Sequence, residues 1–189
     1  NEAIFDRLKE VGSNMIFADS TGLELSGERF LTVSILFKNL LEKEVKNQNI
    51  GLLLPSTVAG AFINYSVLMM GKTLVNLNYT SEINSLKTAV QSAQIKTIIA
   101  SKKFIEKLEN KGINIKEILE MAEVIYVEDL KEKISRPKGI FTYFSVKLMP
   151  SFLLKFIHLT KTSKESTVLI LFSSGSEGTP KGVELSSDN

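Results

Sequence analysis

Ten consecutive positions near the end of the chain carry its most explicit chemistry, Ser173-Ser-Gly-Ser-Glu-Gly-Thr-Pro-Lys-Gly182. Gly175, Gly178 and Gly182 let a backbone approach a ligand closely. Ser173, Ser174, Ser176 and Thr179 add hydroxyls, and the N–H groups of such a loop can form an anion-binding concavity. Lys181 adds a mobile positive charge. Hydrogen bonds to a charged partner contribute about 1.5–3 kcal/mol each, so this set of donors suits a polyphosphate. The alternative is a Gly/Ser-rich hairpin loop that binds nothing. Ten ordered positions behind an apolar strand favour the phosphate cradle.

The loop is neither of the two commoner phosphate loops. G-x-x-x-x-G-K-[ST] is absent because Lys181 is followed by Gly182, and G-x-G-x-x-G is absent as well. Pro180 opposes a helix in its middle. Val168 to Phe172 reads as a strand buried on both faces, and Val183 to Leu185 as a short second strand. The device is therefore strand, loop, strand.

Those strands need a sheet, and the rest of the chain supplies one. Ile4, Phe5, Leu8 and Val11 recur at helical spacing, closed by Gly12. Met15 to Asp19 and Leu23 to Leu25 read as two short strands, and Ser26 caps a helix running to about Val45. The uncharged stretch from Asn47 to Gly71 is long enough to suggest a membrane span. It divides instead into a strand (Ile50 to Leu54), a Pro55-Ser-Thr57 turn and a helix from Val58 to Met70. Thr73 to Leu77 is the next strand, which completes a βαβ unit. Ser81 caps a helix with Ile83, Leu86 and Val90 inward, and Thr97 to Ala100 follows as a strand. Ser101 starts a helix that Gly112 interrupts, Ile115 to Met121 is helical, and Val124 to Val127 is a strand ending in Glu128-Asp129. This alternation predicts an α/β fold with a doubly wound, mainly parallel sheet and helices on both faces. Ligands on such sheets bind beyond the carboxyl ends of the strands, where the Ser173 loop emerges.

Composition narrows the chemistry. The 189 residues are 43% hydrophobic and 23% charged, as in a folded globular protein. A net charge of +2 gives no field for nucleic acid. There is no cysteine, which excludes disulfides and a thiolate nucleophile and suits a reducing cytosol. One histidine, His158, excludes a histidine-rich metal site. In Leu153-Leu-Lys-Phe-Ile-His-Leu159 it reads as a half-buried structural residue. From Lys138 to Lys161, aromatic and aliphatic residues alternate with lysines. Two helical pieces split near Pro150, covering the sheet or packing on a further part of the protein, account for that pattern. A segment lying in a membrane interface is the other reading.

Ser173 to Gly182 resembles the ATP-phosphate loop of the adenylate-forming enzymes, the acyl and aryl ligases. Nine of ten positions fit [ST]-[ST]-G-[ST]-[ST]-G-x-P-K-G. The misfit, Glu177, resembles one bacterial branch, acyl–acyl carrier protein synthetase / 2-acylglycerophosphoethanolamine acyltransferase. Asn76-Leu-Asn-Tyr-Thr80, Thr97-Ile-Ile-Ala-Ser-Lys-Lys103 and Val127-Glu-Asp-Leu130 are similar to that branch too. Where the family commonly has His after the loop, this chain has Ser187.

The resemblance implies that residues 1–189 are one incomplete domain, the N-terminal part of the AMP-binding synthetase domain. The adenine pocket, the metal-binding Glu and the catalytic Lys of the family would come later, so no catalytic or metal-binding residue is assigned here. It implies ATP and Mg²⁺ as cofactors, with Ser173, Ser174, Gly175, Ser176, Glu177, Gly178, Thr179, Lys181 and Gly182 at the phosphates. Glu177 either faces solvent or reaches phosphate through Mg²⁺. The implied substrate is a fatty acid and the acceptor an acyl carrier protein or coenzyme A, serving lysophospholipid acylation. The implied place is the cytoplasm or the cytoplasmic face of the inner membrane, through fused or peripheral segments. Alone, residues 1–189 are expected to be inactive and to self-associate through exposed apolar surface. The alternatives are a long-chain fatty acid–CoA ligase and, in another class, a non-catalytic module binding a membrane or partner.

Overall fold

The computed structural model describes residues 1–173 and 181–187. In chain order the first elements are α1 (Glu2–Val11), β1 (Met15–Ala18), β2 (Glu24–Ser26), α2 (Gly27–Glu44), β3 (Asn49–Leu53) and α3 (Val58–Met69). Next come β4 (Thr73–Asn76), α4 (Ile83–Ser92), β5 (Thr97–Ala100), α5 (Lys102–Glu109), α6 (Lys116–Leu119) and β6 (Glu123–Tyr126). The last are α7 (Val127–Glu132), α8 (Arg136–Leu148), α9 (Ser151–His158), β7 (Thr167–Ser173) and β8 (Lys181–Ser186). They fall into two compact units.

One unit holds residues Asn1–Glu44, Ser56–Gly71 and Leu130–Thr162. Its centre is Phe30, whose ring stacks on Phe17 at 4.0 Å and meets Phe62 edge-on at 6.5 Å. Ser26 caps α2 by accepting from the Arg29 amide at 3.3 Å. Helix α3 is uncharged because it is buried: its polar side chains bond to helix backbone instead of water. Asn64 Nδ2 donates to Gly60 O at 2.7 Å, and the wholly buried Ser66 hydroxyl bonds Phe62 O and, on α2, Ser34 O at 2.9 Å. Gly27 sits where α2 meets α1. A Cβ there would lie 2.4 Å from both Leu8 O and Val11 Cγ2, so only glycine fits. Among the described residues no helix is long and apolar enough to cross a membrane.

The other unit holds Val45–Pro55, Lys72–Asp129 and Ser163–Asn189 and contains a six-stranded sheet of order β6-β5-β3-β4-β7-β8. The first five strands are parallel, and β8 runs antiparallel to β7. Its core joins Leu53, Val75, Ile98 and Ala100 of the sheet to Leu86 and Val90 of α4, Phe104 and Leu108 of α5 and Ile118 of α6. The fold is thus α/β with a mainly parallel sheet, as the alternating pattern predicts.

Three local expectations are corrected. Ser81 does not cap α4. Glu82 holds that position without a side-chain bond, because the Ser81 amide closes a turn onto Asn78 O at 3.0 Å. Val127 to Asp129 do not extend β6. They open α7, with the Glu128 carboxylate drawn to the start of α5. The apolar run of β7 is not buried throughout: Ile170 is buried, but Leu171 and its cross-strand partner Val183 are exposed. The hairpin lies at the sheet's edge, so one of its faces has no cover within this unit.

Candidate phosphate-binding site

The strand before the loop is fixed by β4. Leu74 pairs with Leu169 and Val75 with Ile170 in parallel register, and Thr73 Oγ1 donates to Thr167 O at 2.7 Å. Both β4 and β7 therefore end on the same side of the sheet, as do β3, β5 and β6. That end carries the Asn78 turn, where Asn78 Oδ1 accepts from the Thr80 amide at 3.1 Å and from Thr80 Oγ1 at 2.7 Å. Ser173 and Lys181, which flank the middle of the motif, pair at that end as well.

The strand after the loop begins earlier than expected. Lys181 and Gly182 already belong to β8, with Ser173 opposite Lys181 and Phe172 opposite Gly182. The two ends of the loop are thus neighbours in one antiparallel ladder, not separate points on a surface. Lys181 is exposed, and so is Gly182. Farther along, the Glu184 carboxylate accepts from Thr167 Oγ1 at 2.8 Å, away from the loop's mouth. Of the predicted site residues, Ser174, Gly175, Ser176, Glu177, Gly178 and Thr179 lie outside the described residues, as does the Ser173 side chain. The structure brings the Ser173 backbone, Lys181 and Gly182 together.

The described part of the motif offers an exposed ammonium, Lys181, at the carboxyl end of parallel strands, where ligands of such sheets bind. For a metal the fit differs. Among the described residues no group of three His, Cys, Asp or Glu side chains is placed to hold one. At the other side of the same sheet end, the Glu128 carboxylate is already engaged. Burial alone would raise its pKa, but bonds from Ser101 Oγ (2.7 Å), Lys102 N (3.0 Å) and Lys103 N (3.4 Å) outweigh this and hold it below 4.5. It fixes the start of α5, while Lys102 pairs with Asp129 and stands 5.2 Å from the Tyr126 ring centre.

The contact between Phe172 and Gly182 escapes sequence reasoning. The ring lies where a Cβ at position 182 would come within 3.2 Å of Cε1. A strand glycine opposite an aromatic residue was the only signal for it.

The family model for the AMP-binding enzymes matches residues 37–189, and the chain belongs to that family. Solved structures similar to it include VinN in complex with L-aspartate, at 16% identity and a TM-score of 0.68. That match covers 98% of this chain and 47% of VinN. The Klebsiella oxytoca NpsA N-terminal subdomain bound to 3-hydroxybenzoyl-AMSN matches at 12% identity and a TM-score of 0.68, over 98% of this chain and 40% of that one. McyG A-PCP complexed with phenylalanyl-adenylate matches at 19% identity and a TM-score of 0.68, over 98% and 28%. These likenesses establish the shared fold. The chain spans less than half the length of each of these solved relatives.

Proposed function

We propose that residues 1–189 form the N-terminal part of the large domain of an ATP-dependent ligase. That ligase activates a fatty acid as acyl-AMP, releasing pyrophosphate, and passes the acyl group to the thiol of an acyl carrier protein for lysophospholipid acylation. The observation behind the phosphate role is the pairing of Ser173 with Lys181, the two residues that flank the middle of the motif, at the carboxyl end of β7. Ser173, Ser174, Ser176, Thr179 and the loop amides would hold the β- and γ-phosphates of ATP·Mg²⁺, and Lys181 would offset their charge. ATP supplies the electrophilic phosphorus and the leaving group. The metal would arrive with the nucleotide. What this chain contributes is positioning and electrostatic stabilisation.

The fatty-acid reading rests on Glu177 and on the segments around Asn78, Thr97 and Val127 that resemble the acyl carrier protein synthetase branch. Transfer to coenzyme A by a long-chain ligase shares the first half-reaction and is the runner-up. A non-catalytic module built on the same fold is the alternative in another class. The test is ATP–pyrophosphate exchange by the whole ligase that contains this chain. A fatty acid is expected to drive exchange, and Lys181→Ala to reduce it at least tenfold. Exchange driven by an amino acid or aryl acid, as the ligands of the solved relatives suggest for those proteins, would overturn the fatty-acid reading. No exchange with any acid would favour the module.

A further inference from the structure

Helices α8 and α9 are attached by one side only. Helix α8 buries Thr142 and Val146, and α9 buries Leu154. Their fastenings are polar: Lys9 Nζ donates to Val146 O, Tyr143 OH to Glu28 Oε2 at 3.4 Å, Ser151 Oγ to Asp6 Oδ1 at 2.5 Å, and Lys155 Nζ to Asp6 Oδ2 at 2.8 Å. The large apolar side chains point the other way. Phe141 is 74% exposed, Leu148 75%, Phe152 71% and Phe156 81%. Phe141, Phe144 and Leu148 follow helical spacing on α8, as do Phe152 and Phe156 on α9. A surface helix normally turns this stripe inward.

Charge narrows what can cover the stripe. From Lys133 to Lys164 the sequence contains no Asp or Glu. Two cations of this segment are neutralised from elsewhere, Lys133 by Glu44 and Lys155 by Asp6. Arg136, Lys138, Lys147 and Lys161 have no acidic partner among the described residues. Lys147 instead lies 5.9 Å from the Tyr143 ring centre. An aromatic stripe bordered by a single sign of charge complements a surface that is negative at its rim and apolar beneath. Interfacial helices have this composition, and neither helix is long enough to span.

We propose that α8 and α9 lie in the headgroup region of an anionic lipid bilayer. Phe141, Phe144, Leu148, Phe152 and Phe156 would enter the acyl boundary, with Arg136, Lys138, Lys147 and Lys161 among the phosphates. This stands on its own surface and does not depend on which acid the ligase activates. The test is flotation of the 189-residue chain with phosphatidylcholine vesicles and with vesicles enriched in phosphatidylglycerol, at low and high salt. Flotation with the anionic vesicles alone, weakened by salt, is expected. Phe152→Ser/Phe156→Ser should abolish it. Lys138→Glu/Lys147→Glu should weaken it by about fivefold or more per cation. Circular dichroism melting checks that the variants fold, and if the phenylalanine pair does not, the lysine pair, with Lys147 exposed and Lys138 half-buried, decides. Equal binding to neutral vesicles, flotation unchanged in the lysine variant, or no flotation with phenylalanine-dependent dimers in light scattering would each overturn the proposal.

Discussion

Phe172 and Gly182 are cross-strand partners at the mouth of the loop, and the Phe172 ring occupies the space beside the glycine's bare Cα. The next pair outward is Ser173 and Lys181, so the ring lies one step from the proposed phosphate donors. Replacing Gly182 with Val would push the ring aside and shift that pair. A displacement of about 1 Å at a reacting centre can cost about a hundredfold in rate. Gly182→Val in the whole ligase is therefore expected to lower ATP–pyrophosphate exchange by tenfold to a hundredfold, with a much smaller change in melting temperature. Unchanged exchange would separate the Phe172 contact from phosphate binding.

Gly27 and Gly139 should respond oppositely to alanine. At Gly27 the new methyl meets backbone, Leu8 O at 2.4 Å, which cannot turn away as a side chain does. At Gly139, inside α8, a Cβ meets nothing within 4 Å. Urea denaturation should show Gly27→Ala losing about 1–3 kcal/mol. Gly139→Ala should gain about 0.5–1 kcal/mol from helix propensity.

His158, the only histidine, ends α9 half-buried, with its pKa held below the ordinary 6.5 by burial and then by the Lys38 ammonium, against the pull of Glu42. Lys38 is itself buried and pairs with Glu42 at 2.7 Å. A depressed histidine pKa means the folded state binds fewer protons than the unfolded state. Its contribution is present above about pH 6.5 and is lost as pH falls through the folded value. Lys38→Met should raise the His158 pKa toward 6.5. A proton NMR titration of the single imidazole reads this directly, and an unmoved pKa would refute the Lys38 influence.

Glu128 gives a second, more acidic window. Its pKa is held below 4.5, so its contribution is full above that value and fades as pH falls through the folded pKa. Melting temperature measured from pH 6 down to about pH 3 should fall less steeply for Glu128→Gln than for the parent chain. Parallel profiles would show that the bonds to Ser101 and the α5 amides carry no net preference for the ionised form.

Elements were legible where periodicity and punctuation agreed. Thr73 and Thr97 open strands as read, Pro150 divides α8 from α9, and Ser26, Thr57 and Ser101 accept bonds from the amides they precede. Bonds that close over long sequence distances were not legible. Asp19 Oδ2 accepts from the Val58 amide at 2.7 Å, which adds a second cap to α3 from 39 residues away. Nothing near Asp19 announces that. The exposure of Phe152 and Phe156 was likewise hidden, because spacing defines a stripe but not which side of a helix finds a partner. At the site, the motif gave residue types, while the early start of β8 depended on pairing with β7.

The sheet order has a consequence for how this protein reaches its structure. Strand β4 finds β3 in the adjacent βαβ unit, and β5 and β6 join the opposite side in sequence order. The other side of β4 waits for β7, whose Leu169 pairs with Leu74. During synthesis, β3 to β6 are made before β7, and the β4 edge stays open until then. Contacts this distant in sequence must close a large loop before they stabilise anything, and they slow folding. The β7–β8 pairing, by contrast, is a local hairpin that can form within microseconds. Docking that hairpin onto β4 is the longest-range strand pairing this sheet requires, and until it forms the apolar edge Leu74-Val75 is left unpaired, the kind of edge that invites aggregation.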